Sequence, residues 1–297
     1  DIVTIFDAED EPHENIYHVV NTLMERENPD VVQSGVQLMN YRSKWYSAFN
    51  VMEYFFLFKS TIHYFASTGF IPLGGNTVFF KRPLLITAGG WDEHCLTEDA
   101  DIGVRLSVLG AKTRVVYDAE HVTREETPPT LASFMKQRTR WNQGFLQIFL
   151  KGDWKRLPRF SQRVLAAYVL LWPAVQALLL LFIPFALFFA VSFALPVSLA
   201  IFATVPLYLL FAQQIVNMVG MYEFTKEYGL RFPLGTLLKM SILFLPYQTL
   251  LGFSAFRASF RLLRQENDWE KTAHTNAHRK MEQFPELAQA AKISYVE

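Results

Sequence analysis

Hydrophobic and polar positions follow two periods along the first 127 residues. Four apolar runs predict strands: Asp1 to Phe6, Val31 to Met39, the run ending at Phe80, and Lys112 to Tyr117. Apolar residues at helical spacing predict two helices between these strands. The first runs from Ile16 to Met24 and ends near Asn28. The second carries an aromatic stripe that we expect in the core or facing a membrane, formed by Trp45, Phe49, Met52 and Phe56. Strands alternating with helices favour an α/β sheet with functional groups at the strand ends.

A further helix is predicted to begin at Thr97 and to end at Gly110, with acidic residues at its start. Glu98, Asp99 and Asp101 fill its first turn, where the helix dipole favours negative charge. Such a turn can hold an ionised carboxylate towards a reacting hydroxyl group. The alternative is an acidic helix start with no further function.

The next predicted helix follows a pair of prolines, with Thr130 as its cap. Helical spacing places Gln137, Arg140 and Trp141 together, while Arg138 points about a quarter-turn away. An arginine pairs with phosphate oxygens in a fork, and a tryptophan stacks on a sugar ring, so this patch suits a sugar phosphate. The alternative is a basic amphipathic helix that lies on a membrane.

The first strand ends in acidic residues. In an extended segment Asp7 and Glu9 point the same way, and Asp10 points the other way. Two carboxylates on one side make a site for a hard cation such as Mg2+ or Mn2+ holding a diphosphate. An acidic turn is the alternative, and Asp10 is a rival ligand to Glu9.

The second half of the chain has a membrane-type composition. No Asp, Glu, Lys or Arg occurs from Val164 to Met221, which a soluble protein rarely tolerates. This stretch can supply two spans, Val164 to about Ala190 and Val197 to Met221, and the basic residues before it place that end in the cytoplasm. A third apolar segment contains Lys239 and precedes three arginines, so we expect Leu234 to Arg264 to be interfacial or re-entrant.

Overall composition excludes several classes. The formal net charge is zero, so no basic surface indicates nucleic-acid binding. The single cysteine, Cys95, excludes a disulfide within this chain and a cysteine-based zinc site.

Three elements occur in a characteristic order: Asp7-Ala8-Glu9-Asp10, then Thr97-Glu98-Asp99, then Gln137-Arg138-Thr139-Arg140-Trp141. With the apolar segments after them, they resemble the membrane-integrated family 2 glycosyltransferases, such as cellulose synthase, hyaluronan synthase and ceramide glucosyltransferase. The resemblance implies a GT-A-type nucleotide-sugar transferase domain. It also implies an upstream half, normally a strand-helix-strand unit that binds the uridine, so the chain looks like a fragment.

The same resemblance assigns roles to residues. It implies Asp99 as the catalytic base with Glu98 beside it, and Asp7 and Glu9 as ligands of Mg2+ or Mn2+. For the nucleotide-sugar donor it implies Arg140, with Arg138, Trp269 and Lys271 as further candidates, because Trp269-Glu270-Lys271-Thr272 resembles a gating element that closes over the nucleotide. For the acceptor it implies Trp141, Gln137 and Thr97, together with Gly75 and Asn76, which could equally form an ordinary turn.

We therefore expect five parts. They are a partial catalytic domain (1–127), amphipathic interfacial helices (128–163), a transmembrane hairpin (164–222), an interfacial, re-entrant or third membrane segment (223–265) and a cytoplasmic tail (266–297).

The expected function is inverting transfer of a sugar from a UDP-sugar, UDP-glucose by analogy, to a growing β-linked polysaccharide by a multi-pass membrane protein with a cytoplasmic catalytic part. Expected partners are the donor, a saccharide or lipid acceptor, membrane lipids and export proteins. The alternatives are a non-processive transferase that makes a glycolipid and an inactive scaffold subunit.

Overall fold

A mixed β-sheet lies at the centre of the first half of the chain. The computed structural model describes residues 1–8, 10–193, 196–231 and 234–271. Within them, one sheet has the strand order β1 (Ile2–Ile5), β4 (Val78–Lys81), β2 (Val31–Ser34) and β5 (Thr113–Val116). Strand β4 runs antiparallel to β1 and β2, whereas β2 and β5 are parallel. The four predicted strand regions are therefore confirmed, in a mixed α/β arrangement.

The predicted strand from Val31 to Met39 is wrong in one respect, because it consists of two strands. It divides at Gly35, where a side-chain Cβ would lie only 2.8 Å from the Tyr117 ring. After Gly35 the chain forms β3 (Val36–Leu38), which pairs in parallel with β6 (Thr123–Glu125) in a separate two-stranded sheet. A continuous apolar run conceals such a change of sheet, and the short strand β6 was not predicted.

Helices α1 (Ile16–Glu27), α4 (Arg82–Thr87) and α5 (Glu98–Val108) pack around the main sheet. The predicted end of α1 is confirmed by Asn28, which has a left-handed φ of 49°. Helix α5 contributes Ile102 and Leu106 to a core that also contains Val31 and Phe80 of the sheet. This packing fixes the axis of α5 and hence the place where its first turn begins.

Helix α2 (Ser47–Phe56) continues through a wide, π-helical turn (Leu57–Thr61) into α3 (Ile62–Thr68). Phe49 and Met52 are buried in the core. This is one of the two placements that we expected for the aromatic stripe. Trp45 departs from that stripe, since it precedes α2 and remains 39% exposed.

Helix α6 (Leu131–Lys151) begins at the predicted cap. The Thr130 hydroxyl accepts a hydrogen bond from the Ser133 amide at 3.1 Å. A 3-10 turn (Asp153–Arg156) then leads to α7 (Phe160–Ser192), α8 (Val197–Glu227) and α9 (Leu234–Leu263). Within the described part of the chain, these last three helices are long and apolar enough to cross a membrane.

Helix α9 is continuous, and one of its sides packs against α2, α6 and α8. Tyr247 stacks on Phe49 of α2 with ring centroids 4.5 Å apart. Residues from Leu237 to Leu251 share one core with α2, with Phe134 of α6 and with Phe224 of α8. Its opposite face is exposed and apolar, and includes Leu238, Ile242, Leu245, Phe253 and Phe256. One side of α9 therefore belongs to the protein core.

Candidate active site

The first turn of α5 carries the acidic residues of the candidate site. Thr97 occupies the cap position, but its side chain makes no capping hydrogen bond. The hydroxyl is buried and lacks a hydrogen-bond partner among the described residues. It packs instead against α6, since a Cβ on Gly144 would lie 2.2 Å from Thr97 Oγ1. Thr97 thus lies at the junction of the two helices that carry the predicted motifs.

Asp99 has an unusual charge environment for a residue at a helix start. Burial, followed by the neighbouring negative charge of Glu98, raises the pKa of Asp99 to about 7. Nearby backbone amides and Arg140 oppose that shift, so burial outweighs the helix dipole. Burial also raises the pKa of Glu98. A carboxylate with a pKa near neutral suits a general base, because it can both accept and release a proton at physiological pH.

Gly75 lies directly beside Asp99. A Cβ on Gly75 would be 3.3 Å from Asp99 Oδ2, so the loop before β4 lies beside the first turn of α5. The space that this loop and turn share with Arg140 of α6 is called the cleft below.

Arg140 on α6 faces the acidic turn. Burial lowers the pKa of its guanidinium, while the negative charges of Asp99 and Glu98 act in the opposite direction. Arg140 Nε is buried without a hydrogen-bond partner among the described residues, and so is Gln137 Oε1. Buried polar atoms of this kind are rare in a folded protein, and they are consistent with groups that a ligand satisfies.

Trp269 covers Arg140 from the C-terminal side. The guanidinium carbon lies 4.0 Å from the centroid of the indole ring. The segment is tied to α6 because Gln143 Nε2 donates to the Glu266 carbonyl at 2.7 Å and to Asn267 Oδ1 at 3.1 Å. The structure therefore places Trp269 next to Arg140. Lys271 is exposed at the edge of the described region, and Thr272 lies outside the described residues.

The contacts of Arg138 differ from those expected of a residue that binds the nucleotide-sugar donor. It forms an ion pair with Glu53 and a hydrogen bond with Asn50 Oδ1 on α2. Its guanidinium carbon also lies 4.8 Å from the centroid of Trp141. These contacts join α6 to α2 and orient the indole of Trp141. Donor binding by Arg138 stays a prediction without geometric support.

A second acidic group lies at the end of β1. Asp7, Asp10 and Glu125 each offer a carboxylate oxygen within 4.8 Å of the others. The Asn76 amide nitrogen donates to Asp10 Oδ1 at 2.9 Å and to Glu125 Oε1 at 3.3 Å, and it thereby fixes two of the three carboxylates. Three carboxylates are ligands that Mg2+ or Mn2+ prefers, so these residues fit a divalent metal. Glu9, the predicted second ligand, lies outside the described residues.

Sequence reasoning missed Tyr54 and Glu125. Burial raises the pKa of the Tyr54 phenol well above its usual value, and the charge of Glu125 adds to this shift. The ring centroids of Tyr54 and Trp141 are 6.1 Å apart. Tyr54 therefore links the carboxylate cluster of Asp7, Asp10 and Glu125 to the aromatic face of α6. Tyr54 is one of several aromatics in α2, and Glu125 ends a three-residue strand, so neither had a distinctive sequence signal.

Comparison with known proteins identifies the family. The chain matches the family model described as "Glycosyl transferase family group 2" over residues 2–216. Because the match covers more than half of the chain, the chain belongs to this glycosyltransferase family.

Individual relatives match over about half of the chain. A "Probable glycosyltransferase YdaM" of Bacillus subtilis (strain 168) is 26% identical over 51% of this chain and 36% of its own length. A "Probable glucomannan 4-beta-mannosyltransferase 7" of Oryza sativa subsp. japonica is 27% identical over 50% of this chain and 26% of its length. A "Beta-monoglucosyldiacylglycerol synthase" of Trichormus variabilis is 26% identical over 50% of this chain and 32% of its length. The matches therefore span between about a quarter and a third of these relatives' lengths.

Proposed function

We propose that this glycosyltransferase moves a hexose from a UDP-sugar, with UDP-glucose as the first candidate, to a hydroxyl group of a growing β-linked polysaccharide at a membrane. The observation that carries the proposal is the pairing of Asp99 with Arg140 across one cleft. A carboxylate whose pKa is raised to about 7 faces a half-buried arginine whose buried Nε has no hydrogen-bond partner among the described residues. One group accepts a proton and the other stabilises a leaving diphosphate.

The proposed reaction is a single displacement. The acceptor hydroxyl gives its proton to the Asp99 carboxylate as its oxygen forms a bond to the anomeric carbon. On the opposite face, the bond from that carbon to the diphosphate oxygen breaks, and the electron pair leaves with the nucleoside diphosphate. Arg140 lies where it can stabilise this negative charge. One displacement inverts the anomeric centre, so an α-linked donor gives a β-linked product.

The remaining residues bind and orient the substrates. Trp141 and Tyr54 offer an aromatic surface to a sugar ring, with Gln137 and Gly75 beside them. A divalent metal held by Asp7, Asp10 and Glu125 would supply positive charge to the donor diphosphate. Asn76 holds two of these carboxylates in place through the hydrogen bonds described above.

The membrane arrangement is also part of the proposal. We place α7 and α8 across the bilayer and α9 along its surface on the cytoplasmic side. One side of α9 packs onto α2 and α6, and the apolar face that it turns outward suits contact with lipid. Transfer to a lipid acceptor is the second candidate, because one relative is named for the synthesis of a glucosyldiacylglycerol and the cleft adjoins these apolar helices.

Incorporation of radiolabelled UDP-glucose by the intact protein in membrane vesicles tests this proposal. A nucleotide-linked mannose serves as the competing donor, and vesicles carrying Arg140→Ala serve as the control. Label in a large product that β-glucosidase releases supports polysaccharide synthesis, whereas label in the organic-solvent extract supports the glycolipid alternative. The absence of transfer from either donor, or an α-linked product, would contradict the proposal.

A further inference from the structure

Helix α6 presents a single stripe of residues to α5. Its members are spaced by three and four residues and therefore share one helix face: Gln137, Arg140, Gly144, Gln147 and Lys151. The first two are the substrate-binding candidates described above. The last three contact the chain around the first turn of α5, between the helices that carry Asp99 and Arg140.

Two of these contacts lie just before the acidic turn. Gly144 has no side chain, so Thr97 can pack directly against α6. Three residues further along, the Gln147 amide oxygen accepts a hydrogen bond from the Leu96 backbone amide at 2.9 Å. These contacts hold the N-terminal end of α5 against the middle of α6.

The third contact is an ion pair with a buried carboxylate. Lys151 Nζ lies 2.5 Å from Asp101 Oδ1, and Asp101 is only 1% exposed. The other oxygen of Asp101 accepts a hydrogen bond from Arg105 Nε at 2.8 Å. Both carboxylate oxygens are therefore held by cations, and Asp101 cannot rotate without losing one of them.

The neighbouring turn reinforces this pair. Arg105 also donates to the backbone carbonyls of Ala88 and Gly90, the latter at 2.7 Å. Lys151 donates to Asp92 Oδ2 at 2.8 Å as well. The first turn of α5, the last turn of α6 and the loop between α4 and α5 are thus joined through one buried carboxylate.

We propose that Lys151 is a positioning residue for catalysis, which acts through Asp101 to hold Asp99 at its working distance from Arg140. Asp101 and Asp99 lie in the same helical turn, so a shift of that turn after loss of the Lys151 contact would displace Asp99 as well. Lys151 is eleven positions from Arg140, or about 16 Å along the helix at 1.5 Å per residue, and it does not touch the cleft. The inference rests on the proposed transferase function.

The test is Lys151→Met in the intact protein, with transfer measured against donor and acceptor concentration. The expected result is a 10- to 100-fold lower kcat, since a displacement of about 1 Å can cost about 100-fold. The KM for UDP-glucose should change less than about threefold, because Asp99 does not hold the donor. Lys151→Arg should recover kcat to within about threefold of the unmodified protein. Lys155→Met removes an exposed lysine from the next turn and should leave kcat unchanged.

A double variant separates positioning from general destabilisation. If Lys151 acts through Asp101, then Asp101→Asn with Lys151→Met should lose no more kcat per folded protein than Asp101→Asn alone. Folded protein is counted by saturable UDP binding. If Lys151→Met does not accumulate, kcat per folded protein is compared between Asp101→Asn and Asp92→Asn instead. Asp101→Asn keeps the shape of the side chain.

Each outcome has a defined meaning. Normal kcat in Lys151→Met, no recovery in Lys151→Arg, or additive losses in the double variant would each overturn the positioning role. Failure of both Lys151→Met and Asp101→Asn to fold would reduce the contact to a structural one, which also overturns it. If the unmodified protein itself transfers no sugar, the proposed function fails instead, and that result is read before any variant is compared.

Discussion

Gly144 is the point where a single methyl group should separate α6 from the acidic turn of α5. In Gly144→Ala, the new Cβ would lie 2.2 Å from Thr97 Oγ1 and 2.8 Å from Thr97 Cβ. An ordinary contact needs about 3.4 Å, so the two helices must move apart by about 1 Å. One of the overlapping atoms is the Thr97 Cβ, whose position is fixed by the backbone. Rotation of the Thr97 side chain alone therefore cannot relieve the overlap.

The cost to stability should be small compared with the cost to activity. Overpacking costs about 1–3 kcal/mol, and replacing a helical glycine with alanine returns about 1 kcal/mol, so the net loss is about 0–2 kcal/mol. A displacement of about 1 Å between Asp99 and Arg140 should lower kcat about 100-fold. The measurement is kcat per UDP-binding protein together with the thermal unfolding midpoint.

Gly220→Ala is the matched control. Its Cβ would lie 2.2 Å from Phe56 Cζ, so the overlap is equal in size but lies in α8, away from the acidic turn. It should lower the unfolding midpoint without lowering kcat per folded protein. Thr97→Ala added to Gly144→Ala removes the two closest atoms and should raise kcat above that of Gly144→Ala alone. Equal kcat losses in the two glycine variants, or unchanged kcat in Gly144→Ala, would refute the reasoning.

Four further predictions concern the candidate active site. The kcat/KM for transfer should rise with pH and level off above about pH 7, since burial and the Glu98 charge raise the pKa of Asp99 to about 7; an acidic plateau extending to pH 5 would contradict this. The same shift should make the free energy of unfolding fall as pH rises between about 4 and 7, as urea titrations can measure, because the folded state binds the extra proton. Glu125→Gln should weaken Mn2+ binding at least tenfold by electron paramagnetic resonance, whereas exposed Glu120→Gln should not. Trp269→Ala should raise the donor KM about two- to fivefold, the equivalent of about 0.5–1 kcal/mol for an exposed cation–π contact; an unchanged KM would remove Trp269 from donor binding.

Local sequence signals predicted the elements that hold the candidate site. The start of α6 at Thr130 and the left-handed Asn28 after α1 follow from capping and turn chemistry within a few residues. Helical spacing indicated that Arg138 points away from Arg140, and the two arginines have different partners, Glu53 and Trp269. These features depend on neighbouring residues alone, and so the sequence contains them.

Features that depend on distant contacts could not be predicted. Glu125 joins Asp7 and Asp10 because the residue before it, Arg124 of β6, forms an antiparallel bridge with the distant residue Glu11. Thr97 was expected to cap α5 with its side chain, but packing against Gly144 directs the hydroxyl elsewhere.

The partner of Arg138 was equally hidden from the sequence. It lies on α2, more than eighty positions away, and no spacing rule connects Glu53 to a helix that distant.

The central claim is that Asp99 removes the acceptor proton. Its most direct test compares sugar transfer and donor binding in Asp99→Asn, using the intact protein in membrane vesicles. The account predicts a loss of transfer of about 10²–10⁴-fold, the usual contribution of a general base. It also predicts UDP binding within about threefold of the unmodified protein by calorimetry, because the carboxylate does not hold the donor. Transfer by Asp99→Asn at more than a tenth of the unmodified rate, with UDP binding intact, would contradict it.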